Sequence, residues 1–552
     1  MAAMFTTAFF VVLVSTQVAS QSSTANLEAL LRDHFSANRH HVTNLPGKMA
    51  ARDFIYDTWQ VYGMQVFLHN FLTANSQYTG ANVVGLWPGR YTGTAADRPV
   101  LLSAHYDTMR DTPGVDDNGS GLAALLESAR LITSQPCLQD YTVVFTAFDL
   151  EEWEEATNPG SACSSLGCGS REFVNNILLP YLTQTGVSPA DFRGAVVMDT
   201  IMNYNNSQGA QVIPAEQYFR VTPGLEDAYT SISNEGFRGN FLATISRDPY
   251  DSPVLNTFNR RWAGLSNQQY KTQSLKIPIK DIVRDMPGPP YGNVYQALIR
   301  GDFYNFWAGN ANLTAVFLTD TGDLRGGMQG CYHHGCDDLS RVTPERLTFL
   351  QKTTNAVTAT LWELANGATC TDPTSAVPKD FKTGLHMTGN LVLPYVPNDF
   401  RFTVTSYSTT GVVMATFSND TLSLKLTGRF DDKTLQLTLR LSEPTKAFPG
   451  QIDPLQTMAW VMSGQVMTAA KGNLFYTGEV QGLFGPQGGA VSFAFLSSSG
   501  NDTSGQGVST LSIIFFVSSG ILFVLAVALY ASTICKARTL DAPFTRDQSG
   551  TC

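Results

Sequence analysis

Short apolar runs that stop abruptly at polar residues recur through the first two thirds of the chain. One of them covers residues 100–104 and ends directly at His105. The others cover residues 141–148, 195–198 and 315–318. Short apolar runs followed by polar clusters are typical of buried strands in a mostly parallel sheet. The pattern therefore predicts an α/β domain over residues 25–370, with a mixed, mostly parallel sheet between helices.

Apolar residues at helical spacing lie between and after these runs. Two helices are predicted from them, one from Leu122, Leu125, Leu126 and Ala129, and one from Leu350, Val357, Leu361 and Leu364. The second helix is preceded by Thr343-Pro344, a cap followed by a first-turn proline. Residues 203–304 show only weak periodicity and contain Pro, Gly and Asn clusters. Because long loops are usually functional, we expect an insertion there that covers part of the cleft.

After residue 370 the pattern changes to a period of two. The alternating apolar positions are Phe400, Phe402 and Val404, then Leu422, Leu424 and Leu426, then Leu435, Leu437 and Leu439. Such alternation, separated by Asn-Asp and Asp-Asp turns, predicts a smaller antiparallel β-domain over residues 371–505. It carries no recognisable catalytic residues, so we interpret it as a spacer or a partner-binding module whose protein partner is unknown.

Both ends of the chain carry apolar segments. Residues 1–20 contain a short apolar run and small residues suited to cleavage, and are predicted to be a signal peptide. Residues 511–534 are long and apolar enough to span a bilayer. Lys536 and Arg538 follow at once, which predicts a cytoplasmic tail at 535–552. The expectation is a single-pass type I protein of the plasma membrane or an endomembrane, with its bulk extracellular or lumenal.

Composition narrows the functional classes further. The chain has 552 residues and a formal net charge of −10, without a Lys/Arg cluster suited to nucleic acid. An even number of cysteines in a secreted context suggests disulfides, predicted as Cys331–Cys336 and Cys163–Cys168, while the pairing of the remaining Cys137 and Cys370 is left open. Glycosylation is predicted at the sequons of Asn205, Asn312, Asn419 and Asn501.

The polar residues after the apolar runs are of metal-binding type. Because ligands bind at the carboxyl ends of strands in open α/β sheets, residues far apart in sequence are expected to meet there. The candidate zinc ligands are His105, Asp117, Glu152, Asp199 and His333. Asp117 would bridge two ions, Asp107 would orient His105, and Glu151 would act as general base. Each of these motifs by itself has a simpler explanation. His105 and Asp107 could be a hydrogen-bonded pair on the surface, and Glu151-Glu152 could be the solvated start of a helix.

The segments HYD, GVDDNGSG, FDLEE, VVMDT and CYHHGCDD together resemble the co-catalytic zinc aminopeptidase family, metallopeptidase family twenty-eight. Its relatives include glutamate carboxypeptidases, glutaminyl cyclases and the transferrin-receptor ectodomain. The resemblance covers roughly residues 80–370 and implies the zinc exopeptidase fold, a mixed sheet between helices. It selects Asp117 over Asp116 and His333 over His334 as ligands.

The resemblance also implies roles for residues around the ligands. Tyr332 is similar to a residue that helps stabilise the tetrahedral intermediate, and Arg300 to one that contacts substrate. The chain departs from the family after Glu152, where a cysteine-bearing insertion precedes Gly169, and at Phe303, where many members have His. Both departures bear on substrate choice.

The expected function is that of a membrane-anchored exopeptidase that uses two Zn²⁺ ions per chain and a peptide substrate. Aminopeptidase activity is favoured, with carboxypeptidase or dipeptidase activity as the nearest alternative within the family. Glutaminyl cyclisation is disfavoured because the full His105 and Asp199 complement is present. A non-catalytic receptor or scaffold on the same fold is the alternative from another class, and it would be expected to lack ligands or base.

Overall fold

The computed structural model describes residues 21–497 with interruptions. The gaps lie at residues 74–77, 90, 93–94, 136–138, 153–167, 309–311, 368–381, 392–399, 409–410, 419–422, 432–434, 443–460, 469–473 and 482–490. The predicted signal peptide, the predicted membrane helix 511–534 and the predicted tail 535–552 lie outside the described residues and stay predictions. Among the helices of the described part, none combines the length and apolar composition needed to cross a bilayer.

An eight-stranded sheet forms the centre of the first part of the chain. Its strands are β1 Gln65–Leu72, β2 Thr79–Trp87, β3 Val100–His105, β4 Val143–Phe148, β5 Gly194–Met198, β6 Phe241–Arg247, β7 Lys271–Ile277 and β8 Ala315–Thr319. Their order across the sheet is β1-β2-β4-β3-β5-β8-β6-β7. The four strands predicted from apolar runs, β3, β4, β5 and β8, lie side by side and run parallel. The mixed, mostly parallel sheet is therefore confirmed.

Helices cover both faces of this sheet. They are α1 Thr24–His34, α2 Leu45–Val61, α3 Gly119–Thr133, α4 Gly169–Phe173, α5 Leu179–Thr185, α6 Glu216–Phe219, α7 Glu226–Asn234, α8 Ser252–Ala263, α9 Tyr291–Leu298, α10 Tyr304–Trp307 and α11 Pro344–Leu364. The two predicted helices correspond to α3 and α11. Thr343 caps α11, since its hydroxyl accepts the backbone N–H of Arg346, and Pro344 occupies the first turn.

The continuous apolar runs follow from burial on both faces. On β3, Val100 and Leu102 pack into one hydrophobic core, which includes residues of α1, α2, α3 and α11. Leu101, which points to the opposite face, packs into a second core. The strands therefore cannot alternate between apolar and polar residues, and the polar side chains are concentrated where the strands end.

The segment 203–304 differs from the irregular insertion that its weak periodicity suggests. It supplies β6 and β7, which extend the central sheet, and several of the helices. The strand β7 is paired on one side only, at the sheet edge, and its residues alternate between buried and half-exposed positions. An edge strand of this kind carries polar residues such as Lys271 and Lys276 at its more exposed positions, which explains why its sequence does not resemble the buried strands.

A second sheet of eight antiparallel strands follows. The strands are β9 His386–Leu391, β10 Phe400–Tyr407, β11 Val412–Ser418, β12 Ser423–Asp431, β13 Gln436–Leu441, β14 Val461–Thr468, β15 Leu474–Gln481 and β16 Val491–Ser497. Each pairs with the next, and β16 pairs with β9, so the sheet closes on itself. The predicted antiparallel architecture is confirmed. The alternating Phe400, Phe402 and Val404 are buried in the interior of this closed sheet.

The closed sheet packs directly against the part of the chain that contains the eight-stranded sheet, through polar side chains of β12. The guanidinium of Arg429 is buried, lies 5.0 Å from the ring centroid of Trp87 and donates to the Gln135 carbonyl at 2.8 Å. The Thr427 hydroxyl donates to the Gly63 carbonyl at 2.6 Å. These groups are desolvated at the contact, so each depends on the partner across it.

Substituting Arg429 with Ala is therefore expected to lower the free energy of unfolding by roughly 2–4 kcal/mol, the sum of a desolvated cation–π contact and a charge-assisted hydrogen bond. Urea unfolding of the purified chain measures the loss. Arg401→Ala, which truncates an exposed arginine on β10, is the matched control. Equal unfolding midpoints for the two variants would contradict this account of the contact.

Candidate functional site

The predicted ligands converge at the carboxyl edge of the parallel strands. His105 ends β3, Asp117 precedes α3, Glu152 follows β4, Asp199 follows β5, and His333 lies in the loop after β8. Parallel neighbours end at the same edge of a sheet, so these segments meet although they span more than two hundred positions. All five side chains lie within one cluster.

Asp117 lies at the centre of this cluster. Its Oδ1 lies 3.3 Å from His105 Nε2, and its Oδ2 lies 3.3 Å from His333 Nε2. His105 Nε2 is also 3.5 Å from Asp199 Oδ1, whereas His333 Nε2 is 3.0 Å from Glu152 Oε1. The two oxygens of Asp117 therefore face two different groups of donor atoms.

The donor atoms fit a metal ion. Four of them, His105 Nε2, Asp117 Oδ1, Asp199 Oδ1 and His333 Nε2, are buried and have no hydrogen-bond partner among the described residues. A buried polar atom left in this way costs about 1–3 kcal/mol, so four together would be expensive without a cation. Donor atoms of His105, Asp117 and Glu152 also lie within 4.8 Å of one another. Imidazole nitrogen and carboxylate oxygen are the donors that zinc accepts.

The electrostatics of the cluster favour positive charge. Burial lowers the pKa of His333, but the carboxylates of Glu152 and Asp117 outweigh burial and raise that pKa to about 11. Burial likewise lowers the pKa of His105, and the surrounding carboxylates raise it well above its usual value. Burial raises the pKa of Asp117, yet the two imidazoles hold it below its usual range. A cation in this position is attracted from several sides.

Asp107 holds the backbone of Glu151 and Glu152 by hydrogen bonds. The two carboxylate oxygens of Asp107 accept the backbone N–H groups of Glu151 and Glu152, at 3.2 and 2.9 Å. His105 Nδ1 lies 3.2 Å from the Asp107 carbonyl oxygen and 3.6 Å from its carboxylate. The sequence predicts only that Asp107 orients His105. In the structure Asp107 orients both the imidazole, mainly through its carbonyl, and the glutamate turn.

Three turns around the site have left-handed backbone geometry. Leu150 before the glutamates has φ 58°, Thr200 after Asp199 has φ 48°, and His333 itself has φ 61°. Non-glycine residues adopt this region rarely and at a cost, so the surrounding contacts must hold them there. Nothing in the local sequence indicates these conformations.

A buried ion pair supports the first of these turns. Lys48 on α2 lies with its Nζ 2.7 Å from Asp149 Oδ1, and both side chains are buried. The same carboxylate accepts the backbone N–H of Leu150 at 2.8 Å and that of Ala81 at 2.8 Å. Sequence reasoning missed both residues of the pair. A polar Asp ending the run 141–148 was the one available signal for Asp149.

Asp337 joins the His333 loop to the Asp117 loop. Its carboxylate accepts the backbone N–H groups of Asp116 and Asp117, at 2.9 and 3.0 Å. The predicted disulfide between Cys331 and Cys336 closes the same loop, with the sulfur atoms 2.00 Å apart. Sequence reasoning missed Asp337, although it follows this disulfide directly.

The neighbouring candidates Asp116 and His334 face elsewhere. Asp116 Oδ1 accepts the backbone N–H of Met202 at 3.1 Å. His334 is exposed, and its Nδ1 lies 2.7 Å from the Tyr332 carbonyl oxygen. These positions favour Asp117 and His333 as the ligand candidates.

A cavity of about 60 Å³ opens beside the cluster. Its apolar lining includes the buried side chains of Ala243, Ile245, Leu275, Leu298 and Phe317 and the half-buried Leu324. Its polar lining includes Asp199, Arg300 and Tyr332. Arg300 is 46% exposed and forms an ion pair with Asp323 at 3.1 Å, while the Tyr332 ring stacks on His333 at 3.8 Å. Arg300, the predicted substrate contact, and Tyr332, the predicted stabiliser of the tetrahedral intermediate, therefore both lie beside the apolar recess.

Gly301 and Asp302 approach the cluster from the segment after α9. A Cβ at Gly301, which has φ 98°, would lie 3.5 Å from both Asp199 Oδ2 and Glu151 Oε1. The absence of a side chain therefore leaves space between these carboxylates. Asp302 is buried, which raises its pKa to about 7, and Ser170 contacts its carboxyl. Sequence reasoning placed Asp302 in a family-like segment but missed its position at the site.

The remaining predicted positions lie away from the cluster or outside the described residues. Cys168 is disulfide-bonded, and its predicted partner Cys163 lies outside the described part, as do Cys137 and Cys370. Asn205 Nδ2 donates to the Gly326 carbonyl, and Asn312 accepts a hydrogen bond from Arg247. The other two sequons, at Asn419 and Asn501, also lie outside, so glycosylation stays a prediction.

Replacing Asp117 with Asn should remove one negative charge that faces both imidazoles. We expect zinc affinity, measured by competition with a chelator, to fall by more than the roughly 10–100-fold that is typical when a residue behind a ligand is changed. Asp57→Asn removes an exposed carboxylate on α2 and should leave affinity unchanged. Equal affinities for these two variants would exclude a metal at Asp117.

Part of the chain is similar to known proteins. The family model described as Peptidase family M28 matches residues 82–222. The chain is 36% identical over 81 residues to aminopeptidase YwaD of Bacillus subtilis, a match covering 15% of this chain and 17% of that protein. It is 22% identical over 337 residues to leupeptin-inactivating enzyme 1 of Streptomyces exfoliatus, covering 60% and 58% respectively.

Solved structures were compared as well. The LapA aminopeptidase of Legionella pneumophila matches 62% of this chain and 72% of its own length, with 14% identity and a TM-score of 0.41. The matches to curated relatives span between 16% and 64% of the length of those proteins. The family match over residues 82–222 contains four of the five ligand candidates, all but His333, together with Glu151, and this part of the chain is similar to peptidase family M28.

Proposed function

We propose that the protein is a zinc-dependent aminopeptidase that removes N-terminal residues from peptides. The observation that carries the proposal is the convergence of two imidazoles and two further carboxylates around Asp117, with Glu151 beside them. This donor set and a neighbouring carboxylate suit metal-assisted hydrolysis. Names of relatives such as aminopeptidase YwaD support the direction of cleavage. The anchor predicted at residues 511–534 would hold the enzyme at a membrane surface.

We further propose that two zinc ions bind. His105 and Asp199 would bind one ion, and His333 and Glu152 would bind the other. Asp117 would be a ligand of both ions. Support comes from the opposite orientation of the two Asp117 oxygens, each 3.3 Å from a different imidazole nitrogen. Zinc in this position would polarise the scissile carbonyl and lower the pKa of water.

Glu151 is proposed as the proton carrier. Burial, followed by the neighbouring Glu152 carboxylate, raises the pKa of Glu151 well above its usual value. A carboxylate so placed can take a proton from the attacking water and hold it long enough to pass it to the departing amine. Its backbone N–H is held by Asp107 at 3.2 Å, which keeps the carboxylate beside the cluster.

The apolar cavity supports a preference for aliphatic N-terminal residues. A cavity of about 60 Å³ suits a small or medium aliphatic side chain better than an aromatic ring. Arg300 is the observation that favours the alternative, a carboxypeptidase or dipeptidase, because a half-exposed guanidinium could bind a substrate carboxylate. Parallel assays on aminoacyl substrates and on peptides with a free carboxyl terminus distinguish these activities.

Glu151→Gln tests the role of the proton carrier. We expect kcat to fall by roughly 100- to 10,000-fold, the usual contribution of a general base, while zinc content is retained because Glu151 is not a proposed ligand. Glu345→Gln, which alters an exposed carboxyl on α11, should keep full activity. Activity that survives in Glu151→Gln would remove this residue from the mechanism.

Ala297→Leu tests the cavity as the subsite for the N-terminal side chain. Ala297 lines the cavity from α9, so a larger side chain there should exclude a leucyl substrate more than an alanyl one. The ratio of kcat/KM for leucyl over alanyl substrates is expected to fall by about 10–200-fold. Gln296→Leu, at the exposed neighbouring position, is the control. An unchanged ratio would mean that another recess binds this side chain.

A further inference from the structure

The loop between His105 and Asp117 has no helix or strand to satisfy its backbone. It leaves β3 after His105 and reaches α3 at Gly119, and most of its residues are buried. Buried carbonyl groups need donors from elsewhere. Because this loop sets the distance between two proposed ligands, the groups that satisfy it also set the geometry of the site.

Arg39 supplies the donors for three carbonyls of this loop. Its side chain is 1% exposed and donates to five backbone carbonyls. The acceptors and distances are Tyr106 at 2.7 Å, Phe35 at 2.9 Å, Ala37 at 3.0 Å, Pro113 at 3.0 Å and Gly114 at 2.9 Å. Three of the five belong to the loop, one directly after His105 and two shortly before Asp117. One guanidinium therefore connects both ends of the loop.

Asn38 also donates hydrogen bonds to this loop. Its Nδ2 lies 2.9 Å from the Met109 carbonyl and 2.8 Å from the Thr112 carbonyl, and it donates to the Thr108 hydroxyl at 3.1 Å. The backbone N–H of Arg39 also donates to that hydroxyl, at 2.9 Å. The segment between α1 and α2 is thus hydrogen-bonded to the loop at several positions from Tyr106 to Gly114.

The positive charge of Arg39 also stabilises the arrangement of the loop. Burial lowers its pKa to about 10, so the guanidinium remains cationic at neutral pH, and the nearby carboxylates of Asp337, Asp107 and Asp117 oppose the lowering. A fixed cation behind the ligand loop offsets part of the repulsion among buried carboxylates. Lysine could not substitute, because its donors sit on one nitrogen and cannot reach carbonyls on several sides.

We propose that Arg39 is a positioning residue that fixes the separation of His105 and Asp117 before metal binds. The inference rests on the proposed metal-dependent function. It makes the N-terminal segment part of the metal centre, although that segment lies outside the family match over residues 82–222.

The test compares the full-length wild type with Arg39→Lys and with Arg32→Lys, which alters an exposed arginine on α1. Zinc affinity is measured by chelator competition, and the visible absorption of the Co²⁺-loaded protein reports ligand geometry. We expect Arg39→Lys to lose about 10–100-fold in zinc affinity and to change the Co²⁺ spectrum. Arg32→Lys should match the wild type in both.

A purely structural role gives a different result. It would lower the urea midpoint of Arg39→Lys but leave the zinc affinity of its folded fraction at the wild-type value, and that outcome overturns the proposal. Failure of the wild type to bind zinc would instead overturn the proposed function.

If Arg39→Lys does not fold, amide hydrogen exchange in the wild type tests whether the loop is already ordered before zinc binds. The N–H groups of Asp116 and Asp117, bonded to Asp337, should be equally protected with and without zinc. Rapid exchange in the zinc-free protein would contradict a preorganised loop.

Discussion

Buried carboxylates crowd around Asp117, and the repulsion among them is the constraint on which the rest of the site depends. Burial raises the pKa values of Glu151 and Glu152, since a charged carboxylate out of water costs several kcal/mol unless it is paired. The compensating cations come from separate parts of the chain, and Lys48 and Arg39 belong to its N-terminal segments. The fold must therefore bring distant elements together before the cluster can exist.

Rigidity at the site follows from the same requirement. The ligand-bearing turns have unfavourable backbone geometry at Leu150, Thr200 and His333, and none of these conformations is locally preferred. Backbone N–H groups donate hydrogen bonds to the buried carboxylates of Asp107 and Asp337, and these bonds hold the neighbouring segments in place. Strain in the turns is thus balanced by contacts that only the assembled domain supplies, a common arrangement where ligand geometry matters.

The closed sheet is joined by specific contacts to the part of the chain that contains the site. Arg429 and Thr427 reach from β12 to Trp87, Gln135 and Gly63. These contacts involve desolvated polar groups, which are costly when separated. The sequence-based interpretation as a spacer or partner-binding module did not include this contact, because alternation along β12 reports which face is buried and not what lies opposite its polar residues.

The sequence by itself determined the strands of the parallel core, the antiparallel β-domain and the ligand candidates, because a buried strand must be apolar and its end is marked by the first polar residue. His105 and Asp199 follow such ends directly, and Glu152 comes shortly after Asp149, the polar residue that marks the end of its strand. Tertiary structure alone decided β6 and β7, the positions of Asp302 and Asp337, and the contacts of Lys48 and Arg39. The edge strand β7 is partly exposed, so its sequence is more polar than that of a buried strand. An isolated basic residue such as Arg39 looks the same in sequence whether it faces water or five carbonyls. Only packing distinguishes the two environments, since burial depends on segments far away along the chain.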